Sequence, residues 1–296
     1  MGAETEARVA AARRARDIRR VLLVVLGLNI AVALAKLLYG FFSHSAAMQA
    51  DGIHSLFDGT SNIVGLIGMR FASQPADTTH PYGHRKFETF AAAGIALLLA
   101  IAGYTVARGA ISSLLGEQQT EVTVASFVIM IGTLAINLAV TTWESRAGRR
   151  LGSEVLQADA RHTLSDVLVS SGVIVSLILV KLGFEKADGV VALLVAVAIA
   201  YTAISILRGV GRTLGDVARL PAGEVAATAA GVPGVVECHS VRTRGSETDV
   251  SVDLHCLVAP ATPIERAHEI AHAVEMALRA RYPQITDVVV HVEPSQ

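Results

Sequence analysis

Apolar runs of roughly 20 residues, the length a helix needs to cross the hydrocarbon of a bilayer, recur along the first two thirds of this chain. They lie at residues 21–42, 46–71, 87–115, 122–143, 157–181 and 187–207, six spans in all. The composition fits a chain that lives in lipid: 52% of its residues are hydrophobic and 17% charged, against about 25% charged in soluble proteins. Two of the six runs, the second and the fifth, are interrupted by histidine and aspartate. Such side chains are expensive in hydrocarbon, so their presence there is a functional hypothesis by default.

The interruptions are near copies of each other. Gln49-Ala50-Asp51-Gly52-Ile53-His54-Ser55-Leu56-Phe57-Asp58 is echoed by Gln157-Ala158-Asp159-Ala160-Arg161-His162-Thr163-Leu164-Ser165-Asp166. Each copy carries a histidine and an aspartate four residues apart, which a helix stacks on one face. Two such faces turned toward each other offer two imidazoles and two carboxylates to one point, a tetrahedral donor set suited to zinc. His54, Asp58, His162 and Asp166 are therefore the expected ligands. Asp51 and Asp159 lie one turn away and are expected to line a vestibule or to orient the imidazoles, not to bind the ion themselves.

Basic residues set the orientation. Arg13, Arg14, Arg16, Arg19 and Arg20 precede the first span, Arg85 and Lys86 follow the second, Arg146, Arg149 and Arg150 follow the fourth, and Arg208 and Arg212 follow the sixth. The opposite side holds little beyond Lys181 and Lys186. Both termini are thus expected in the cytoplasm, and the N-terminal segment does not read as a signal peptide. The expected division is a cytoplasmic segment at 1–20, a six-helix membrane domain at 21–212 and a cytoplasmic domain at 213–296.

That last region is of mixed polarity and lacks a spanning run. A helix from Pro221 to Ala230, strands at 235–243 and 248–258, a helix at 263–282 and a strand at 287–293 give an α-β-β-α-β order, a ferredoxin-like α+β sandwich with one helix-covered sheet face. Gly245-Ser246 marks the expected hairpin turn. Val250, Val252, Leu254 and Cys256 alternate with Asp249, Ser251, Asp253 and His255, so one strand face is buried and the other polar. Cys238 and Cys256 fall in this region, where packing is expected over a disulfide. The net charge of −1 argues against a nucleic-acid partner.

Histidine is the commonest protein ligand for transition metals, and all of the remaining ones except His44 cluster. Asp77, His80 and His84 sit in the loop after the second span with metal-ligand spacing. In the tail, His291 and Glu293 share a strand face, His255 lies on the polar face of its own strand, and His268 and His272 share a helix face, His272 being the weaker candidate.

With these residues in view, the six spans, the two His-xxx-Asp motifs, the Gln74-Pro75-Ala76-Asp77…His80-Pro81-Tyr82-Gly83-His84 loop and the α+β tail together resemble the cation diffusion facilitators, from about Arg20 to Pro294. The resemblance implies a homodimer in the cell membrane that exports divalent transition metals from the cytoplasm in exchange for protons. It implies that His54, Asp58, His162 and Asp166 form the transport site, that Asp77, His80 and His84 form a loop site, and that His239, His255, His268, His291 and Glu293 form a site between two cytoplasmic domains. It also implies an interlocking charge pair at Lys86 and Asp216. Some bacterial relatives have aspartate in place of His54, and Glu293 replaces an aspartate of the tail pattern. Two histidines and two aspartates suit zinc, with cadmium, cobalt or iron(II) as alternative substrates; zinc is also expected to have a structural or regulatory role in the tail. Two other classes compete with transport: an intramembrane metalloenzyme and a membrane-bound metal sensor. The four ligands fill a shell in which a catalytic zinc would keep a place for water, and no His-Glu-x-x-His or Ser/Lys nucleophile motif lies in the membrane runs (the one stretch of that form, His268-Glu269-Ile270-Ala271-His272, is in the tail helix), so the chain is not expected to be an enzyme.

Overall fold

The computed structural model describes residues 2–42, 46–115, 124–182, 184 and 187–295. The chain divides into two compact units, Met1–Val210 and Gly211–Gln296.

The first unit consists of long helices: α1 (Gly2–Phe42), α2 (Ala46–Ala72), α3 (Lys86–Leu114), α4 (Val124–Leu151), α5 (Glu154–Lys181) and α6 (Ala187–Leu214), the last ending just beyond the unit boundary. Among the described residues, three stretches are both long and apolar enough to cross a membrane, Val9–Tyr39, Lys86–Leu114 and Gly189–Leu214, against six expected spans. α2 falls short because Gln49, Asp51, His54, Asp58, Asn62 and Arg70 interrupt its apolar sequence. α1 starts well before the first apolar run, since the Ala/Glu/Arg-rich sequence before Val21 has high helix propensity.

Small residues let these helices approach. A Cβ on Gly68 of α2 would stand 2.2 Å from the Ala91 Cβ of α3, and one on Gly103 of α3 would meet Ile199 of α6 at 3.0 Å. Gly65 of α2 sits against Leu22 of α1 and Val155 of α5, and Gly172 of α5 against Val195 of α6. Ile18, Leu22, Val25, Met69, Ile95, Leu99 and Leu156 are buried between helices, whereas Leu34, Leu38, Leu97, Tyr104 and Leu194 are exposed. An apolar exterior of this kind is stable against lipid. At the Arg-rich end, the turn between α4 and α5 is held by one side chain. Arg14 of α1 donates from Nε to the Leu151 carbonyl at 2.8 Å, from Nη2 to the Gly152 carbonyl at 2.9 Å and from Nη1 to Glu88 of α3 at 3.0 Å. The Ser153 hydroxyl completes the set with a 2.5 Å bond to Glu88.

The second unit runs α7 (Ala222–Ala230), β1 (Glu237–Ser246), β2 (Asp249–Val258), α8 (Ile264–Arg281) and β3 (Ile285–Pro294). Its sheet has the order β1-β2-β3, with β1 antiparallel to β2 and β3 parallel to it. The alternation in β2 holds: Val250, Val252, Leu254, Cys256 and Val258 are buried and pack with Val225 and Ala229 of α7 and Val274 and Leu278 of α8. The helices thus cover one face, and the odd-numbered side chains of β2 occupy the other. The hairpin turn falls on Glu247 and Thr248, two residues later than expected. Gly245 belongs to the end of β1 instead; its φ is 119°, and a Cβ there would stand 2.0 Å from the Asp249 carbonyl oxygen. Cys238 and Cys256 are opposed across β1 and β2 as free thiols, with Cys256 buried.

Candidate metal sites

α2 and α5 bring the two halves of the repeat together. One ligand atom from each of Asp58, His162 and Asp166 lies within 4.8 Å of the others. The side chain of His54, the fourth expected ligand, lies outside the described residues, as does that of Asp51. His162 is buried and its Nδ1 has no hydrogen-bond partner among the described residues. The charged neighbours of Asp166 are Asp58, Lys36 and Asp159.

A polar layer lies one turn toward the Arg-rich ends of the helices. Asp159 is fully buried, which makes it no part of an open vestibule. Its carboxylate accepts a hydrogen bond from the Asn62 side chain of α2, whose own carbonyl oxygen accepts one from Asn29 of α1 at 2.9 Å. Glu144 of α4, also fully buried, interacts with the same carboxylate. Neither Lys36 nor this Asn29–Asn62–Asp159–Glu144 group is anticipated by the repeat. Lys36 carries the clearer signal, a single cation inside an apolar run.

In the loop between α2 and α3, Asp77, His80 and His84 again place ligand atoms within 4.8 Å of one another. The chain folds this way because Asp77 Oδ1 accepts hydrogen bonds from the Thr79 hydroxyl and amide, both at 2.8 Å, and from the His80 amide at 2.7 Å, a local turn of the kind aspartate nucleates. Gly83, at φ 82°, lets the chain double back so that its amide reaches the His80 carbonyl. The buried His84 ring bonds through Nδ1 to the Pro75 carbonyl at 3.0 Å, which leaves Nε2 turned to Asp77 at 3.4 Å. The His80 and His84 rings are 4.2 Å apart, and Phe87 packs against both. The Thr79 hydroxyl and then the His80 amide hold the Asp77 carboxyl down at about 2, so it is an anion at any physiological pH.

The uncovered face of the sheet carries the third group, one residue per strand: His239 of β1, His255 of β2 and Glu293 of β3. His239 and His255 are register partners, as are His255 and His291. Glu293 reaches His255 Nδ1 at 2.8 Å and His239 Nε2 at 3.2 Å. Desolvation pushes its carboxyl up, but the hydrogen bond from His255 and the nearby imidazoles of His255, His239 and His291 outweigh this and bring it below the ordinary range. His291 stands at the edge of the group, 3.4 Å from Glu293 with its ring 4.8 Å from that of His255. His268 does not join it within the chain: it is exposed on α8, whose Ala267, Ile270, Val274 and Leu278 pack the opposite sheet face. His272 lies beside Glu275 on the same helix.

A bundle of apolar helices with metal-ligating side chains in its interior, followed by a small domain with a ligand set of its own, describes a membrane carrier for metal cations. Residues 22–214 match the cation efflux transmembrane domain and residues 221–295 the cation efflux protein cytoplasmic domain. The chain belongs to the cation efflux family, the cation diffusion facilitators. It is 30% identical over 283 residues to an uncharacterized transporter of Methanocaldococcus jannaschii, spanning 94% of this chain and 99% of the relative. It is 29% identical over 262 residues to the cation-efflux pump FieF of Cronobacter sakazakii, covering 88% and 87% of the two chains. Metal tolerance protein C1 of Arabidopsis thaliana is 29% identical over 285 residues, 90% of this chain and 60% of the relative. The protein is a cation efflux transporter.

Proposed function

We propose that this protein is a homodimeric zinc exporter of the cell membrane, with both termini in the cytoplasm, and that it exchanges the metal for protons at His54, Asp58, His162 and Asp166. One observation carries the reading above the others: Asp58, His162 and Asp166 converge from two helices inside an apolar bundle. A divalent ion cannot enter hydrocarbon with its water shell, and two imidazoles and two carboxylates replace that shell while neutralising the charge. Nitrogen and oxygen donors in tetrahedral number suit zinc, whereas manganese and magnesium favour more oxygens. Cadmium, cobalt and iron(II) are the expected weaker substrates. Release follows from competition, because these ligands bind metal only when deprotonated; protons arriving from outside displace the ion. The Asp77–His80–His84 and His239–His255–Glu293 groups are then accessory zinc sites, with His291 and, from across a dimer, His268 as additional donors to the latter.

Flux into sealed vesicles loaded with a zinc indicator tests this. The parent should transport zinc faster than manganese and acidify the opposite compartment as it does so. Asp58→Ala and Asp166→Ala should each lower the zinc rate at least about 100-fold, since loss of one ligand leaves an undercoordinated ion or an unpaired charge. Normal zinc flux in both variants, or equal zinc and manganese rates in the parent, would overturn the assignment.

A further inference from the structure

α1 contributes a cation to the place where α2 and α5 put their carboxylates. Between residues 21 and 42 this helix is apolar except for Asn29, Lys36 and the phenol of Tyr39. Lys36 is only 8% exposed, although its neighbours Leu34 and Leu38 face outward. A lysine near a helix end ordinarily extends along the apolar surface to reach water. Lys36 instead turns inward, and its Nζ donates to the Ser55 hydroxyl of α2 at 2.8 Å. Ser55 is itself buried and precedes Asp58 by three residues, on the same helix face. Across the site, Asp166 has Lys36 among its charged neighbours, beside Asp58 and Asp159. The side chain is thus held by α2, one turn from Asp58.

We propose that Lys36 is the residue that sets the charge of the transport site and thereby its rate of metal release. This rests on the transport reading of the same site. Asp58, Asp166 and, a turn away, Asp159 gather acidic groups around the site, and Lys36 is a cation set among them. These acids attract a divalent ion and slow its departure, and the ammonium opposes that attraction. Repulsion between an ammonium and a divalent ion is large away from bulk water, so the loaded state is raised in energy relative to the empty one. Lys36 therefore trades affinity for turnover. It is a positioning charge and not a ligand, since an ammonium has no lone pair to give.

Vesicle flux and metal binding with the full-length chain distinguish this from a role in holding α1 to α2. Lys36→Gln keeps a donor for Ser55 and removes the charge, Lys36→Met removes both, and Lys36→Arg keeps the charge. For zinc, the Gln and Met variants should show a KM at least about ten-fold lower than the parent, with a maximal rate lower by a similar factor; Arg should stay within about three-fold of the parent in both. Zinc affinity in detergent should rise by the same factor in the component that Asp166→Ala removes. A lysine that only joins helices gives another pattern: a lower thermal midpoint and a lower rate at unchanged KM and affinity. That result, or weaker zinc binding in Lys36→Gln, overturns the proposal. Should Lys36→Met fail to fold, Lys36→Gln alone decides. If the parent carries no zinc, the transport reading fails, and the affinity comparison in detergent still judges Lys36.

Discussion

Asp77 and Asp166 both belong to clusters of candidate metal ligands, yet their surroundings differ. Asp77 is exposed and takes three local hydrogen bonds on one oxygen, which keep its carboxyl at about 2. This depression favours the folded loop above the ordinary value of 3.8 and is lost as pH falls from there toward about 2. Mild acidification therefore leaves Asp77 charged. Asp77→Asn should weaken loop binding by the same factor at every pH between about 5 and 8, measured by zinc titration of full-length protein whose transport site is removed by Asp166→Ala. A factor that grows as pH rises through this range would refute it. The His162–Asp166 pair and the Asp77–His80–His84 turn were legible in the sequence because the members of each are close along the chain and local geometry is enough to join them. Lys36, Asn29, Asn62 and Glu144 were not, because their partners lie on other helices and no spacing announces them.

At the level of elements, a 41-residue α1 is about 60 Å long, roughly twice the thickness of the hydrocarbon. Helix propensity carries α1 through the Arg-rich stretch expected as a cytoplasmic segment, and Arg14 ties this part of α1 to α3 and the α4–α5 turn. The hairpin shows the opposite kind of displacement. Gly245 was read as the turn itself, and its positive φ serves the strand end beside the turn; glycine marks an unusual conformation without saying which role it plays. In the helical unit, Gly68 of α2 lies close against Ala91 of α3, where an added Cβ would stand 2.2 Å from that of the alanine. Gly68→Val should lower the thermal midpoint in detergent, at a cost of about 1–3 kcal/mol from overpacking, whereas the same change at Gly109, where nothing lies within 4 Å of the added Cβ, should be nearly silent. Equal midpoints for the two variants would refute the close contact.

On the scale of the molecule, the second unit has its own core, from Val225 on α7 to Ile285 on β3, and its ligand group lies on the sheet face that core leaves uncovered. Residues 211–296 expressed alone should therefore fold, and if this face meets a partner copy, zinc should drive the fragment to dimers. Sedimentation with and without zinc checks this, with Glu293→Gln and His255→Ala as controls. Dimerisation indifferent to zinc, or undiminished in the controls, would count against a metal-bridged interface. The α-β-β-α-β order and the buried stripe of β2 could be read from alternation alone; which histidines would meet could not, since that depends on register across three strands and on α8 lying against the other face, which separates His268 from the rest.

The contact at Gly68 has a consequence for the loop that follows it. With no side chain on Gly68, the Ala91 methyl of α3 comes up against the backbone of α2, which leaves the two helices little room to slide past each other, and the Asp77–His80–His84 turn lies in the loop that joins them. On the proposed transport reading, a rotation of α2 that exposes Asp58 would carry the turn along like a label on a moving rod, and an ion held there would travel with it.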